Sequence, residues 1–492
     1  MSDQKSSYRQ IMKATSIFGG VQVFTILISI VRSKFIAILL GPAGIGINSL
    51  LNSTTGFIAG LTNFGLSTSA VKNIGVAYAT GDQKKIATVV NVLRRLVWIT
   101  GLIGAILTII LSSWLSQLTF GNKEYTMAFI WISGTLLLNQ ISAGQSVVLR
   151  GMRQINYMAR SSLSGAILGL IVSVPIYYKW GIDGIVPAII ISSIVSLLRT
   201  WYFARKIKID KVNVSRKTTV IEGKDMLTMG FMLSLSGLYV LAKNYGIRVY
   251  IGSVGGMDEV GLFTAGFAIV NSYVAMVFTA MSTDYFPRLS AVAHDNKQAR
   301  ELINQQAEIA ILILAPIITV FIVFIGWVVI LLYSNKFISI NLMIQWTVLG
   351  IFFKASSWSM AFIFLAKGKS KLFLANELIG GTVALLFQLL GYYFGGLTGM
   401  GIGFMIGYCY YMVQVFFVTK YYFEFSFERQ FFKILSIQLF LAIVAFMTSL
   451  FITKPFSYIV GSLIILISAF YSYNELDNRI GFKQIIEKFK KK

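Results

Sequence analysis

The sequence is poor in the residues that carry covalent and metal chemistry. Its 492 residues include one cysteine and one histidine, Cys409 and His294, and only 19 acidic residues stand against 43 Lys and Arg. One cysteine excludes an internal disulfide, and one cysteine with one histidine cannot form a Cys/His zinc site. The sequence shows no glycine-rich phosphate loop, metal-ligand cluster or nucleophile constellation. It therefore predicts no metal, no cofactor and no enzyme.

Charged residues of both signs are scarce, since they make up 13% of the chain while hydrophobic residues make up 56%. A soluble protein could not bury that much apolar surface. Apolar runs of roughly 18 to 27 residues predict an all-α integral membrane protein with 14 transmembrane helices. The runs centre near residues 27, 55, 107, 138, 167, 192, 239, 273, 319, 354, 383, 408, 443 and 465. We expect the amphipathic stretch at 66–82 to continue the second helix beyond the membrane.

The net charge of +24 would favour nucleic acid as a partner of a soluble protein, but its distribution indicates membrane topology instead. With the N-terminus placed in the cytoplasm, the inside segments hold 34 of the 43 Lys and Arg and the outside loops hold four. This positive-inside pattern predicts that both termini are cytoplasmic. Nucleic acid is not an expected partner. The basic C-terminal tail is expected to face solvent or lipid headgroups.

An internal repeat is visible as four pairs of landmarks separated by 213 to 217 residues. The pairs are Gly151 with Gly368, Gly181 with Gly396, Asp82 with Asp295, and Lys34 with Arg248. The repeat predicts a six-helix lobe over 1–203, a basic cytoplasmic linker over 204–223 and a second six-helix lobe over 224–423. Two extra helices and a basic tail occupy 424–492.

Each predicted lobe has an even number of spans, so both lobes enter the membrane in the same orientation. They should be related by a pseudo-two-fold axis along the membrane normal, with a cavity between them, as in transporters that work by rocking of two halves. Duplicated halves that act only as a scaffold are the alternative. Intramembrane charge argues against a scaffold, because it is costly to keep without a use.

Five basic residues lie within the predicted spans, where each costs at least ~2.5 kcal/mol near the bilayer centre. They are Arg32, Lys34, Lys243, Arg248 and Lys354. Lys354 is about twelve residues from either end of its span, too deep for easy snorkelling, and Lys243 is nearly as deep. For Arg32, Lys34 and Arg248, snorkelling to the outer interface remains an alternative. Arg32 and Lys34 point to nearly opposite sides of their helix, and Lys34 is the preferred candidate for the cavity.

Few carboxylates are placed to neutralise these cations. Asp284 and Glu377 are predicted near membrane depth, and Glu308 is predicted at a cytoplasmic edge. A cavity with more cations than carboxylates suits a bulky anionic substrate such as a pyrophosphate. Asp284 and Glu377 are candidates for ion coupling. Alternatively, each caps a helix or forms a salt bridge at the cytoplasmic edge.

The order and spacing of several segments resemble those of a known family. The segments are Lys34 followed by GPAGIG, Arg248 followed by MDEVGLF, and then YFPRLS, FFKASSW with FLAKGKSK, and ANELIGG. Over roughly residues 10 to 425 the chain is similar to the Wzx-type flippases of lipid-linked O-antigen units. These belong to the multidrug/oligosaccharidyl-lipid/polysaccharide (MOP) exporter superfamily, and the enterobacterial common antigen flippase is especially similar. Lys34, Arg248 and Lys354 match basic positions of that family, while Arg32 and Lys243 match less clearly.

The resemblance implies a MATE-like fold and movement of an undecaprenyl-pyrophosphate-linked oligosaccharide from the cytoplasmic to the periplasmic leaflet of a bacterial inner membrane. The implied mechanism is alternating access through a positively charged central cavity. The implied partners are this substrate and membrane lipids, and polysaccharide polymerase machinery is a further candidate. The last two helices depart from the enterobacterial relatives, which have twelve.

Two other classes of protein remain as alternatives. Another exporter of the superfamily, such as a multidrug extruder or a lipid II-type flippase, would share the topology, but an extruder should carry cavity carboxylates for cationic drugs. A membrane-bound polysaccharide polymerase or ligase should carry a large external loop with catalytic residues. All predicted external loops are short, from GPAG to ITKPFSY.

Overall fold

A computed structural model describes the backbone of residues 2–210 and 212–480, and no strand occurs within them. Side chains are described for the same residues except 2–23, 233, 273–276, 280, 283 and 480. The basic tail at 481–492, predicted to face solvent or headgroups, lies outside the described residues. The helices are α1 (Ser2–Thr62), α2 (Leu66–Ala79), α3 (Gln83–Ile110), α4 (Ser112–Phe120), α5 (Thr126–Gly151), α6 (Ile155–Trp180), α7 (Ile185–Ala204), α8 (Arg216–Val292), α9 (Asn296–Leu332), α10 (Asn341–Ala366), α11 (Ser370–Phe423), α12 (Arg429–Phe451) and α13 (Phe456–Ile480).

Glycines with non-helical backbone divide three of these helices into a first arm and a second arm. Gly41 in α1 has φ 67°, Gly256 in α8 has φ 83°, and Gly396 in α11 has φ 54°. Glycine adopts positive φ without the clash that a Cβ would cause. Pro42 follows the first of these breaks and favours the start of a new helical arm. Gly41 and Gly256 occupy corresponding positions in the repeat.

Ten segments of the described chain are long and apolar enough to cross a membrane. A span needs about 20 residues. Four of the ten have 39 to 54 residues, so each of these accommodates two spans. These four are Phe24–Thr62, Ile155–Ala204, Ser234–Thr279 and Ser370–Phe423. Every predicted centre falls in a helix, which confirms the prediction of an all-α membrane protein with 14 transmembrane helices.

The stretch after the second span forms a separate helix, so the expectation that it continues α1 is wrong. Phe64 and Gly65 take left-handed conformations with φ 48° and 64°, and these end α1 before α2 begins at Leu66. The side chain of Asn63 accepts a hydrogen bond from the Gly65 backbone at 2.7 Å, which stabilises the turn. The break separates α2 from α1, and α2 packs against α3 and α5.

The chain divides into two compact units, Met1–Gly261 and Leu262–Lys492. In the first unit α5 packs against α3 and α7, and α6 packs against α7 and α1. A Cβ at Gly101 of α3 would lie 2.9 Å from the Leu137 side chain of α5, so the small residue permits this close packing. The division of the sequence into lobes at 203 and 224 stays a prediction.

In the second unit α9 packs against α10, α12 and α13, and α10 packs against α11. An ion pair joins the last turn of α13 to α9, with Arg479 Nε 2.9 Å from Glu308 Oε2. Glu308 is 6% exposed, and Arg479 also pairs with Glu475. A Cβ at Gly461 of α13 would lie only 2.6 Å from the Val323 side chain. The two extra C-terminal helices are therefore built into the second unit.

Asp82 and Asp295, which the repeat pairs, cap α3 and α9 in the same way. The Asp82 carboxylate accepts a hydrogen bond from the Lys84 backbone at 2.9 Å. The Asp295 carboxylate accepts from the Gln298 and Lys297 backbones at 3.2 and 2.8 Å. These bonds favour the ionised form and hold the pKa of Asp295 below its ordinary value. The repeat therefore extends to the hydrogen bonds that begin equivalent helices.

Candidate functional site

Arg248 lies half-buried on the first arm of α8 and reaches across to α1. Its Nε donates to the Ser49 hydroxyl at 2.7 Å, and its Nη1 donates to the Asn244 carbonyl at 2.9 Å. Ser49 lies on the second arm of α1, so the guanidinium bridges two helices. Both of these acceptors are neutral, so the two contacts orient the guanidinium without cancelling its charge.

Buried aromatic and hydroxyl groups fix the α8 arm beside α1 and α4. The Tyr245 ring stacks on Phe57 with 5.7 Å between centroids. The Tyr245 hydroxyl lies 2.8 Å from that of Thr119, which lies 3.4 Å from that of Thr54. Buried hydrogen bonds of this kind resist rearrangement, since breaking one leaves a polar group unsatisfied. Arg248 is thus presented by a rigid arm.

The glycines that follow Lys34 and Arg248 in the repeat bring the two second arms into backbone contact. A Cβ at Gly46 would lie 2.0 Å from the Met257 carbonyl oxygen, and a Cβ at Gly261 would lie 1.8 Å from the Pro42 carbonyl oxygen. Only glycine fits at such a crossing. The sequence contained the signal, because Gly46 follows Lys34 by twelve residues and Gly261 follows Arg248 by thirteen, but the spacing alone did not identify them as a contact.

The structure separates Arg32 from Lys34. Both lie half-buried on the first arm of α1. Arg32 lines a cavity formed with α5, α6 and α7, whereas Lys34 is not among the residues that line it. This agrees with the expectation that residues two apart point to nearly opposite sides of a helix. Lys243, also half-buried, lies five residues before Arg248 on α8 and hence on a different side of that arm.

Lys354 lies half-buried in α10 and faces aromatic rings of its own unit. Its Nζ is 5.3 Å from the centroid of Tyr408 and 5.9 Å from that of Phe278. Both distances lie within the ~6 Å range of a cation–π contact. Trp358 packs against Phe278 with 5.1 Å between centroids and extends the aromatic surface. The rings stabilise the ammonium through their faces and leave it a net positive charge.

Ion pairs are rare among the described residues, where three lie within 4.0 Å: Arg288–Asp284, Arg479–Glu308 and Arg479–Glu475. Lys354 takes part in none of them. Its charge is therefore not cancelled by a carboxylate within 4.0 Å in the described part of the chain. An intramembrane ammonium in this setting attracts an anion.

Glu377 belongs to a polar cluster between the two arms of α11. The Tyr411 hydroxyl donates to Glu377 Oε1. The neighbouring Asn376 Nδ2 donates to the same hydroxyl at 3.3 Å, and Gln414 Nε2 donates to Asn376 Oδ1 at 2.9 Å. The cluster holds the carboxylate between the two arms. A change in the charge of Glu377 would therefore affect how the arms pack.

Asp284 has a different environment from Glu377. Its carboxylate pairs with Arg288 one turn later at 3.3 Å, and the two side chains are 76% and 59% exposed. Such an exposed pair contributes little to stability. The structure thus places the two predicted coupling residues in separate surroundings on α8 and α11.

The described residues contain no group of three or more His, Cys, Asp or Glu side chains that could hold a metal ion. The candidate cations contact neutral oxygens in the first unit, at Arg248, and aromatic rings in the second unit, at Lys354. Such a set binds anions by charge and hydrogen bonding.

The sequence profile of a family described as polysaccharide biosynthesis protein matches residues 35–342, more than half of the chain. The chain belongs to the polysaccharide biosynthesis protein family. Its curated relatives include a lipid III flippase of Escherichia coli (strain K12) and one of Shigella flexneri. Each is 21% identical over 373 residues, which cover 72% of this chain and 85% of the relative.

Solved structures show that this family member has the fold of MOP exporters. The lipid II flippase MurJ in an inward closed conformation matches with a TM-score of 0.68 at 14% identity, covering 94% of this chain and 98% of MurJ. An inward-facing multidrug resistance MATE family transporter of the MOP superfamily matches with a TM-score of 0.63 at 16% identity, covering 83% and 98%. These matches confirm the predicted MATE-like fold. The relatives named here are flippases and transporters, in agreement with the prediction that the chain is not an enzyme.

Proposed function

We propose that this protein is a flippase that moves a lipid-linked saccharide from the cytoplasmic to the periplasmic leaflet of a bacterial inner membrane. The proposed substrate is a repeat unit of O-antigen or a similar surface polysaccharide carried on undecaprenyl pyrophosphate. Family membership and similarity to lipid III flippases support this class of substrate. The observation that carries the proposal is Lys354, whose intramembrane ammonium rests on two rings and has no carboxylate within 4.0 Å among the described residues.

The proposed site holds the pyrophosphate with Lys34, Arg248 and Lys354. A phosphate brought into a low-dielectric region needs cationic partners, because leaving a buried charge unpaired costs about 3–5 kcal/mol. The isoprenoid tail would remain in lipid while the sugars occupy a hydrated cavity. Access would alternate between the two membrane faces as the halves of the repeat rock. Lys243 is a secondary candidate, and Arg32 faces the separate cavity described above.

Alanine substitutions test the cations. We expect Lys34→Ala, Arg248→Ala and Lys354→Ala each to lower transport about 100-fold, the equivalent of ~3 kcal/mol. Lys354→Arg should keep partial activity, because it preserves the positive charge over the rings. Complementation of a strain that lacks its own flippase reports transport, and the amount of each variant in the membrane fraction is measured in parallel.

Lys123→Ala, which removes an exposed lysine between α4 and α5, is the matched control and should complement fully. Full complementation by the Lys34/Arg248/Lys354 triple alanine variant would show that the cations do not bind substrate. Resistance to cationic drugs conferred by the wild-type protein, without complementation, would instead support a multidrug extruder.

We also propose that an acidic residue couples transport to an ion gradient. Coupling requires an ion that binds the two access states with different affinity. Glu377 has the more suitable surroundings, because its carboxylate accepts from Tyr411 within a cluster that spans both arms of α11. Asp284 is the second candidate, and its exposed pair with Arg288 also fits a simple edge salt bridge.

A further inference from the structure

The first unit contains a polar cavity of about 440 Å³ between α1, α5, α6 and α7. Seven of its lining residues carry hydroxyl groups, and two are arginines, Arg32 and Arg150. Among the described residues that line it, none is acidic. Arg150 ends α5, while Arg32 comes from the first arm of α1. The chemistry of the wall is therefore that of hydrogen-bond donors and positive charge.

Residues from three of the helices around this cavity carry unsatisfied polar atoms. Arg32 Nε, Ser161 Oγ and Ser192 Oγ are buried and have no hydrogen-bond partner within the described structure. Ser161 is only 5% exposed. An unsatisfied buried polar group costs about 1–3 kcal/mol. Three such groups among the residues that line one cavity favour a polar ligand that these side chains turn to meet.

Other contacts show that one wall of the cavity is held together by hydroxyl groups and that space beside another wall is unfilled. The Ser142 hydroxyl of α5 lies 2.9 Å from that of Thr200 and 3.4 Å from that of Ser196, so α5 and α7 are tied together along one side. On the opposite wall, Cβ atoms added at Gly165 and Gly169 of α6 would meet nothing within 4 Å. Gly169 is itself buried, so the open space beside it is internal.

We propose that this cavity binds a phosphate group and that Arg32 is its anchor. A tetrahedral oxyanion has enough acceptor oxygens to take hydrogen bonds from the guanidinium, Ser161 and Ser192 together, and arginine is well suited to phosphate. The Arg32 guanidinium also lies beside the buried Tyr177. The phosphate comes either free in solution or as the phosphodiester of a phospholipid headgroup, and both sources present anionic non-bridging oxygens. The site does not depend on the proposed transport function.

Thermal unfolding of the full-length purified protein tests the proposal. Tryptophan fluorescence is followed in detergent while inorganic phosphate is raised against sodium chloride at constant ionic strength. A parallel series uses phosphate-free detergent micelles with or without added phosphatidylglycerol. A ligand that binds the folded state raises the melting temperature in a saturable way. We expect such a rise for the wild-type protein with at least one of the two probes.

Two variants and a control decide whether the rise comes from this cavity. Arg32→Gln should weaken the response by about tenfold or more in ligand concentration, since it removes the charged donors. Gly169→Leu should abolish it by filling the open space while both arginines remain. Lys123→Gln, which changes an exposed lysine outside the cavity, should respond as the wild type does.

The outcomes are distinct. A response to inorganic phosphate that both cavity variants lose identifies a free phosphate ligand, and one confined to phosphatidylglycerol identifies a lipid headgroup. No response to either probe means that the cavity holds only water and overturns the proposal. An equal response to chloride, or one that Gly169→Leu retains, also overturns it. If Arg32→Gln fails to fold, the response of Gly169→Leu compared with that of the wild type still tests whether the ligand binds in this cavity.

Discussion

Arg248 and Lys354 are held within the membrane-spanning helices by different kinds of contact. Arg248 donates hydrogen bonds to the neutral oxygens of Ser49 and Asn244, which demands a particular guanidinium geometry. Lys354 rests on the faces of Tyr408 and Phe278, a contact that requires a positive charge but no particular hydrogen-bond geometry. At the scale of single residues, a lysine should therefore replace Arg248 less well than an arginine replaces Lys354.

A second prediction at the residue scale concerns the role of the acidic residues in ion coupling. Glu377→Gln keeps an oxygen that can accept from Tyr411 but removes the titratable group. If Glu377 couples transport to an ion, the variant should lose its dependence on an imposed proton or sodium gradient, with a rate about tenfold lower at full gradient. Asp284→Asn is the matched variant in an exposed position and should keep the dependence.

Transport into inverted vesicles, with each gradient imposed separately, provides the measurement. Loss of gradient dependence only in Asp284→Asn would indicate that Asp284 on α8, and not Glu377, is the coupling residue. If both variants transport at the wild-type rate at every gradient, neither carboxylate takes part in coupling.

At the scale of elements, paired glycines set how α1 and α8 are arranged. Gly41 and Gly256 break the two helices at equivalent points, and Gly46 and Gly261 allow the arms that follow to touch through their backbones. Two arms that cross this closely transmit a displacement of one to the other, because packed backbones cannot deform independently. The crossing follows Lys34 and Arg248 by a few turns along each helix, so we expect a displacement there to alter the proposed phosphate contacts.

Gly46→Ala tests the importance of the crossing. The added Cβ would lie 2.0 Å from the Met257 carbonyl, so α1 and α8 must separate. We expect a loss of about 1–3 kcal/mol, typical of overpacking, together with reduced transport. Gly56→Ala is the control on the same arm, since its Cβ would meet nothing within 4 Å. Alanine favours a helix over glycine, so the control should be neutral or slightly stabilised.

Thermal unfolding in detergent and complementation report the two effects of these variants. Equal stability and equal activity of Gly46→Ala and Gly56→Ala would mean that the backbone contact does not constrain the functional protein.

At the scale of the whole molecule, the distribution of basic charge predicts how the chain is oriented in the membrane. The predicted inside segments carry 34 of the 43 Lys and Arg, so translocating them would be far costlier than retaining them. Both termini and the 204–223 linker are accordingly predicted in the cytoplasm. The proposed direction of transport requires this orientation.

Cysteine labelling tests the orientation in a Cys409→Ala background, which removes the one native thiol. Lys123→Cys and Lys208→Cys place single thiols at exposed positions on opposite predicted sides. An impermeant thiol reagent should label Lys123→Cys in spheroplasts, whereas Lys208→Cys should react only after the membrane is permeabilised. Labelling of Lys208→Cys from outside would reverse the assignment.

The sequence by itself determined the number of spans, the repeat and the identity of the candidate cations. Each of these follows from a local requirement: about 20 apolar residues cross a membrane, and a charge within such a run is conspicuous because of its cost. The pairing of Lys34 with Arg248 followed from the repeat alone. So did the pairing of Asp82 with Asp295, which proved to be equivalent helix caps.

Only the tertiary structure decided what these residues face. The rings under Lys354 come from α8 and α11, the cavity beside Arg32 is completed by three other helices, and Glu308 meets Arg479 from 171 residues away. Helical periodicity shows that Arg32 and Lys34 diverge but does not show which neighbour lies on each side. That choice depends on the packing of helices far apart in the chain, because in a membrane helices associate through close-fitting surfaces and polar contacts that no local pattern encodes.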